Sequence, residues 1–200
     1  MLPWEGAALE LGGRYEGQEL GQLDLTAQEA AGAAFRDVSF RGTRLGGSHF
    51  QQAEWLRVQA TDSDLSNTRW DRALLRHVLV RGSRLVGLVA PEALLEDVIF
   101  RQCDLSLAQL RFCRFKDVRF EDCQLREADF TGSDIGGSVF ERCGLELVDM
   151  SQATAAGIDL RGSNIEGIKV LLTQLSDAKV EFDQAVYLVR LLGIHVGADQ

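Results

Sequence analysis

Few side chains in this chain could do chemistry. It has 200 residues, among them three histidines, four cysteines and thirty acids. Such residues bind metals, act as thiolate nucleophiles or trade protons when a fold brings them together. His49, His77 and His195 are widely separated, and none stands at metal-ligand spacing from a cysteine. Asp62-Ser63-Asp64 has the start of a calcium loop without its glycine or its distal acid. No glycine-rich phosphate loop and no nucleophile-elbow motif occurs. The expectation is a chain that is not an enzyme and takes no cofactor and no metal.

The cysteines carry a different message. Cys103, Cys123 and Cys143 are spaced by twenty residues, with Cys113 halfway between the first two. Ser63, Ser83 and Ser163 continue the same spacing, so small side chains occupy it generally. Buried structural thiols are the plainer reading, and a metal ladder is the alternative. Reduced thiols suit a cytoplasmic chain. Residues 1–6 show neither a basic start nor an apolar core, so no secretory signal is read. No apolar run is long enough to span a bilayer, and no membrane partner is expected.

Acids are the remaining chemistry. A formal charge of −9 argues against direct binding of nucleic acid, whose phosphates require a basic surface. The charge is uneven. From Glu121 to Glu166 there are ten acids: Glu121, Asp122, Glu127, Asp129, Asp134, Glu141, Glu146, Asp149, Asp159 and Glu166. They face only Arg126, Arg142 and Arg161. From Phe35 to Arg84 the balance reverses, with five acids against nine arginines. The acidic stretch could form a negative saddle that occupies a basic groove on a protein partner. Incidental clustering on a solvated surface is the blander alternative.

What must position these residues is a period of five. Every multiple of five from Leu20 to Val170 falls on one register, and 27 of those 31 positions are Leu, Phe, Trp, Ile, Met or Val. Ala30, Ala60, Ala90 and Ala155 are the exceptions. Two residues earlier in each cell stands a small or β-branched residue, such as Ala33, Val38, Thr43 or Ala108. Neither a lone helix nor a flat strand has this period. Four sides of five residues would return to the same face after twenty. Leu25, Leu45, Leu65, Leu85, Leu105, Leu125, Leu145 and Ile165 indeed form a nearly pure leucine column. Coils stacked at strand spacing, roughly 4.8 Å, would give a rod on the order of 35 Å long. Glycines such as Gly42, Gly87, Gly132 and Gly162, two residues after the central position, suit its corners. Leu88, Ala90 and Pro91 break the pattern within residues 86–92 and predict a kink or bulge there.

The cells Ala128-Asp129-Phe130, Cys103-Asp104-Leu105, Ser63-Asp64-Leu65 and Ser163-Asn164-Ile165 resemble the A(D/N)LXX unit of pentapeptide-repeat proteins. That resemblance implies an all-β fold, a right-handed quadrilateral parallel β-helix, with a short C-terminal α-helix. Residues 1–17 would cap it, 18–170 would form the coils, and 171–200 would make a terminal helix and strand module. Two stretches, 159–169 and 183–196, are similar to the terminal module of the Qnr and MfpA group. Those proteins bind topoisomerases, are associated with quinolone resistance, and have rods that mimic DNA. The resemblance implies DNA gyrase or topoisomerase IV as partner. Glu121, Asp122, Glu127, Asp134, Glu141, Glu146, Asp149 and Glu166 would be the contacts. No protruding loop is visible, so the chain looks closer to the loop-free MfpA type.

After Val170 the rhythm turns helical. Asp183 is the expected N-cap and Gly193 the C-cap glycine, with Ala185, Leu188, Val189 and Leu192 at helical spacing. Together with Phe182 and Val186 they form an apolar surface with two readings. It is either a plain cap on a monomer or the seam of a two-fold homodimer.

Overall fold

The computed structural model describes residues 1–4 and 6–197. The last residues of the expected terminal module, 198–200, lie outside it. Strand and bridge residues of successive coils pair in parallel, twenty positions apart. Asp64 pairs with Arg84, Arg84 with Asp104, and Asp104 with Gln124. The longest strands are Leu74–Arg81, Leu94–Arg101 and Arg114–Glu121, each eight residues. Their register is continuous, with Leu75 beside Leu95 and Phe115 beside Leu95 in turn. The predicted quadrilateral β-helix is therefore the fold. The twenty-residue pairing runs from Arg14, opposite Ala34, to Lys179, opposite Asp159.

Four sides follow from the five-residue cell. Phe100, Phe120 and Phe140 centre the first side, and Leu105, Leu125 and Leu145 the second. Leu110, Phe130 and Met150 centre the third, and Phe115, Ile135 and Ala155 the fourth. All twelve are buried. Leu65, Leu85, Leu105 and Leu125 lie in register, each donating its N–H across to the next coil at 2.7–2.8 Å. Phe100, Phe120 and Phe140 stack nearly parallel at 5.0 and 4.8 Å. A single coil cannot bury its own apolar residues, so neighbours above and below complete the core.

The small slot has a polar rule as well. Several of its hydroxyls and thiols donate to the carbonyl 23 residues back, Ser48 to Leu25, Ser133 to Leu110 and Ser163 to Phe140, while Ser63 and Ser83 donate to the carbonyl two residues back. Cys103, Cys123 and Cys143 donate 23 residues back, to Val80, Phe100 and Phe120. That accounts for a column of Ser, Thr and Cys inside a dry rod, since a buried polar group needs a partner. All four cysteines are buried and free. Burial pushes the Cys113 thiol up to about 12.

Corners cost backbone energy. The position two residues after each centre has φ between 50° and 73° along the whole rod, from Gln22 to Gly167. Most of these residues are not glycine, and each such residue pays roughly 1 kcal/mol for a left-handed conformation. The ladder and the core outweigh that cost.

Pro91 produces no kink. Its position in the turn offers only a carbonyl, which accepts from Arg72 at 2.9 Å. Gln51, Asp71 and Arg111, its equivalents in other coils, likewise only accept there. A missing N–H therefore costs nothing. Leu88 fits its small slot because its column neighbours are Thr68 and Ala108 and Ala90 is small; all are buried.

Both ends are closed. Leu2–Pro3 pairs with Gln18–Glu19, and Leu9 and Tyr15 are buried. At the other end a helix, Phe182–Leu191, lies across the last coil. Its N-cap is Glu181, not Asp183, which sits in the first turn. The Glu181 N–H donates to Gln184 Oε1 at 2.8 Å. Gln184 Nε2 in turn donates to the carbonyls of Leu160 and Ser163 at 2.6 and 2.7 Å. The Tyr187 hydroxyl accepts from the Gly167 N–H at 2.6 Å. Gly193 takes the expected positive φ, 76°, after the helix.

Leu105→Ala should cost about 3 kcal/mol, because the coils on either side hold the cavity open. Urea unfolding measures this; a loss under about 1 kcal/mol would contradict a rigid stacked core.

Candidate functional site

Every outward side chain lies roughly one strand spacing from its equivalents in the coils above and below, so charge columns run along the rod. One is strictly alternating: Asp24, Arg44, Asp64, Arg84, Asp104 on the second side. Arg44 reaches Asp24 at 2.6 Å. Others are Asp37 with Arg57 at 2.6 Å, and Arg76, Glu96 and Lys116 in sequence at 3.1 and 2.5 Å. Exposed pairs of this kind contribute up to about 1 kcal/mol each. Their larger effect is to cancel surface charge.

The acid-rich half is subject to the same cancellation. Glu121 pairs with Arg101 at 2.6 Å, and Asp122 takes the Arg142 guanidinium on both oxygens at 2.6 and 3.0 Å. Glu141 also contacts Arg142, Glu127 pairs with Arg126 at 3.1 Å, and Asp149 with Lys169 at 3.3 Å. Outside the expected contact set, Asp129 pairs with Arg111 and Asp159 with Arg161. Glu146 accepts from Asn164 at 2.6 Å. Among the described residues no cation lies within 4.0 Å of Asp134, Glu146 or Glu166.

Position divides the eight candidate acids. Glu121, Glu141 and Asp122 lie on the first side and its corner. Glu146, Glu166 and Glu127 lie on the second side and the corner beyond it. Asp149 opens the third side, and Asp134 stands alone on the fourth, paired in register with Arg114. Seven therefore wrap three consecutive sides, and one faces away.

Several of these carboxylates are held below the usual range. Hydrogen bonding to Arg142 lowers Asp122. For Asp149, burial raises the value, but the Ser151 hydroxyl and N–H and then Lys169 lower it by more. Hydrogen bonds from Arg161 lower Asp159. No cluster of His, Cys, Asp and Glu among the described residues could hold a metal.

The terminal helix splits the second predicted surface. Leu188 is 6% exposed and belongs to the core, and Gln184 is buried beside the rod. Ala185, Val186 and Val189 are half-buried. Phe182 is 85% exposed, and Leu191, Leu192, Ile194 and Val196 are also exposed. Between helix and rod lies an open groove of about 710 Å³ lined by Ile165, Phe182, Val186, Tyr187 and Arg190.

The sequence reading missed three residues. Leu107, Phe112 and Leu147 are exposed large apolar side chains in the middle of the rod, all at corners with positive φ. Their signal was available: each puts a bulky apolar residue where the cell elsewhere has glycine, alanine or a polar residue.

These features define a class, a quadrilateral β-solenoid closed by a C-terminal helix. Residues 84–149 match the family model described as a pentapeptide repeat region. Among solved structures it is similar to full-length QnrB1, a plasmid-mediated fluoroquinolone resistance protein. Identity is 20%, coverage is 94% of this chain and 97% of that one, and the TM-score is 0.59. A trypsin-treated QnrB1 variant is similar at 18% identity, covering 98% and 99%, with a TM-score of 0.52. At such identities the likeness is one of fold. Comparison with curated protein sequences finds no match.

The depressed carboxylates carry a pH consequence. A group whose pKa is lowered by folding stabilises the fold above its unfolded value, near 3.8 for Asp122, and ceases to as pH falls through the folded value. Melting temperature should be flat above about pH 5 and fall below about pH 4. Arg142→Ala should make that acid drop shallower; an unchanged drop would show that the pair does not hold Asp122.

Proposed function

We propose that this chain is a non-catalytic binding protein that engages a type II topoisomerase, DNA gyrase or topoisomerase IV, through its acid-rich half. It would occupy a basic DNA-binding groove, and so modulate the enzyme or protect it from gyrase poisons. The observation that carries this reading is the arrangement of carboxylates on three consecutive sides of a rigid rod, with Glu146 and Glu166 free of cations. The fold shared with QnrB1, a fluoroquinolone resistance protein, supports it. A rigid β-solenoid holds its charges without further ordering, which lowers the entropic cost of docking. The acid pairs with arginine would open when a denser set of cations on the partner replaces them.

The same reading has the protein in the cytoplasm as a homodimer joined at the terminal module. Four free thiols agree with a reducing compartment. No helix among the described residues is long and apolar enough to cross a membrane. The exposed Phe182, Leu191, Leu192 and Ile194 would be covered by a second copy. A two-fold seam there would place two acid-rich halves side by side.

A second reading is a scaffold for an unrelated protein partner without gyrase activity. Two things favour it: the pairing of most acids with arginines, and the arginine-rich half from Phe35 to Arg84.

Replacing Glu127, Glu146, Asp149 and Glu166 together by Lys tests the first reading in a gyrase supercoiling assay with and without a fluoroquinolone. The wild type should alter supercoiling or its poisoning, and the variant should not, at unchanged circular dichroism. An equal effect from both would remove the acids from the mechanism. Sedimentation should give twice 22.1 kDa, and Phe182→Asp should return the mass to 22.1 kDa. A monomeric wild type would rule out the seam.

A further inference from the structure

Leu107, Phe112 and Leu147 are expensive in two ways. Each is a bulky apolar residue in the left-handed conformation, with φ of 61°, 55° and 59°. Unlike glycine or asparagine, such side chains are disfavoured there. Each is also exposed, by 52%, 59% and 43%. Among the described residues no other corner of the rod carries a large apolar side chain. A corner position does not bury its side chain in the core, and the corner residues one coil away from these three, Gly87, Glu92, Glu127, Gly132 and Gly167, are not apolar side chains, so no apolar pairing in the rod accounts for the choice. Every corner takes positive φ, but only these three place a bulky apolar side chain there, and an exposed apolar residue at a strained position points to a role outside the fold.

Their placement is also selective. Leu107 and Leu147 stand at the corner between the second and third sides, two coils apart with Glu127 between them. Phe112 stands at the opposite corner of the third side, in the coil of Leu107. Its ring lies over Gly132, where an added Cβ would meet the ring at 2.5 Å. Leu147 similarly covers Gly167, where a Cβ would meet it at 2.6 Å. Glycine in the next coil gives both side chains room to lie along the rod as low ridges.

The three thus frame one flat side, whose outward residues include Gln109, Asp129, Thr131, Asp149 and Ser151. Around this frame stand five carboxylates, Glu127, Asp129, Glu146, Asp149 and Glu166. Three cations, Arg111, Arg126 and Lys169, stand against them. A flat, net-negative side with apolar edges complements a basic protein groove whose floor has apolar recesses.

We propose that the third side of the rod is the face that docks, and that Leu107, Phe112 and Leu147 are its apolar anchors, seated in apolar recesses of the partner's basic groove. This rests on the proposed topoisomerase binding and assigns it a face. Apolar anchors at the centre of a polar interface carry a large share of binding energy, while the surrounding charges set orientation and encounter rate. It also separates the chain from a pure charge mimic of DNA, which would present no apolar ridge.

The test exploits the strain. Asparagine tolerates the left-handed region, so Leu107→Asn, Phe112→Asn and Leu147→Asn together should leave the melting temperature unchanged or higher. Binding of the full-length triple variant to purified gyrase, followed by fluorescence anisotropy of the labelled rod, should weaken at least tenfold. The salt dependence of binding should stay that of the wild type, since no charge changes. Wild-type binding that the triple variant retains overturns this proposal alone. A melting temperature that falls markedly shows the three residues to be structural, which also overturns it. Failure of the wild type itself to bind gyrase overturns both this proposal and the function on which it rests.

Discussion

A left-handed corner after every fifth residue is the constraint from which the rest of the structure follows. It turns the chain four times in twenty residues and brings each backbone group opposite its equivalent in the next coil, as Leu65 to Arg84 and Leu85 to Asp104 show. Because the return is always to the same register, like side chains stack on like. The interior then needs only to fill space, with leucine above leucine and phenylalanine above phenylalanine. The polar exceptions, Thr43, Ser63, Ser83 and the cysteines below and above them, meet their hydrogen-bonding needs with carbonyls of earlier cells.

The same register governs the outside. Side chains twenty residues apart face each other across one strand spacing, close enough for ion pairs and too close for unscreened like charges. The Asp24, Arg44, Asp64, Arg84, Asp104 column answers that geometry, as do Asp122 with Arg142 and Asp149 with Lys169. Composition alone therefore overstates the negative field of the acid-rich half. What a partner meets is the unpaired remainder, chiefly Glu146 and Glu166, together with whatever apolar surface the corners add. The outer surface can vary by column while the core stays constant.

Most of the fold was legible because a five-residue period in large residues leaves no other economical architecture, and Leu65, Leu85, Leu105 and Leu125 do stack. Less legible was anything decided by hydrogen-bond detail. Pro91 reads as a ladder breaker, yet its equivalents Gln51, Asp71 and Arg111 only accept at that turn position, and Thr131 and Ser151 donate there to a side chain and not to the ladder. Asp183 reads as an N-cap, yet Glu181 takes that place because Gln184 is drawn inward to the Leu160 and Ser163 carbonyls. That same turn of the helix puts Leu188 on the rod and leaves Phe182 outside. The acids could be listed from the sequence, but not their neutralisation. The pairing shows only when outward residues are aligned in steps of twenty, and Leu107, Phe112 and Leu147 stand out only when the corners are aligned in the same way.

The proposed function makes the rod a competitor of DNA for its partner. The most direct measurement is competition between the full-length chain and a labelled DNA duplex for purified DNA gyrase, read by anisotropy over a range of salt. The account predicts mutually exclusive binding that weakens steeply as salt rises. A ternary complex holding both rod and duplex, or an affinity indifferent to salt, would contradict it.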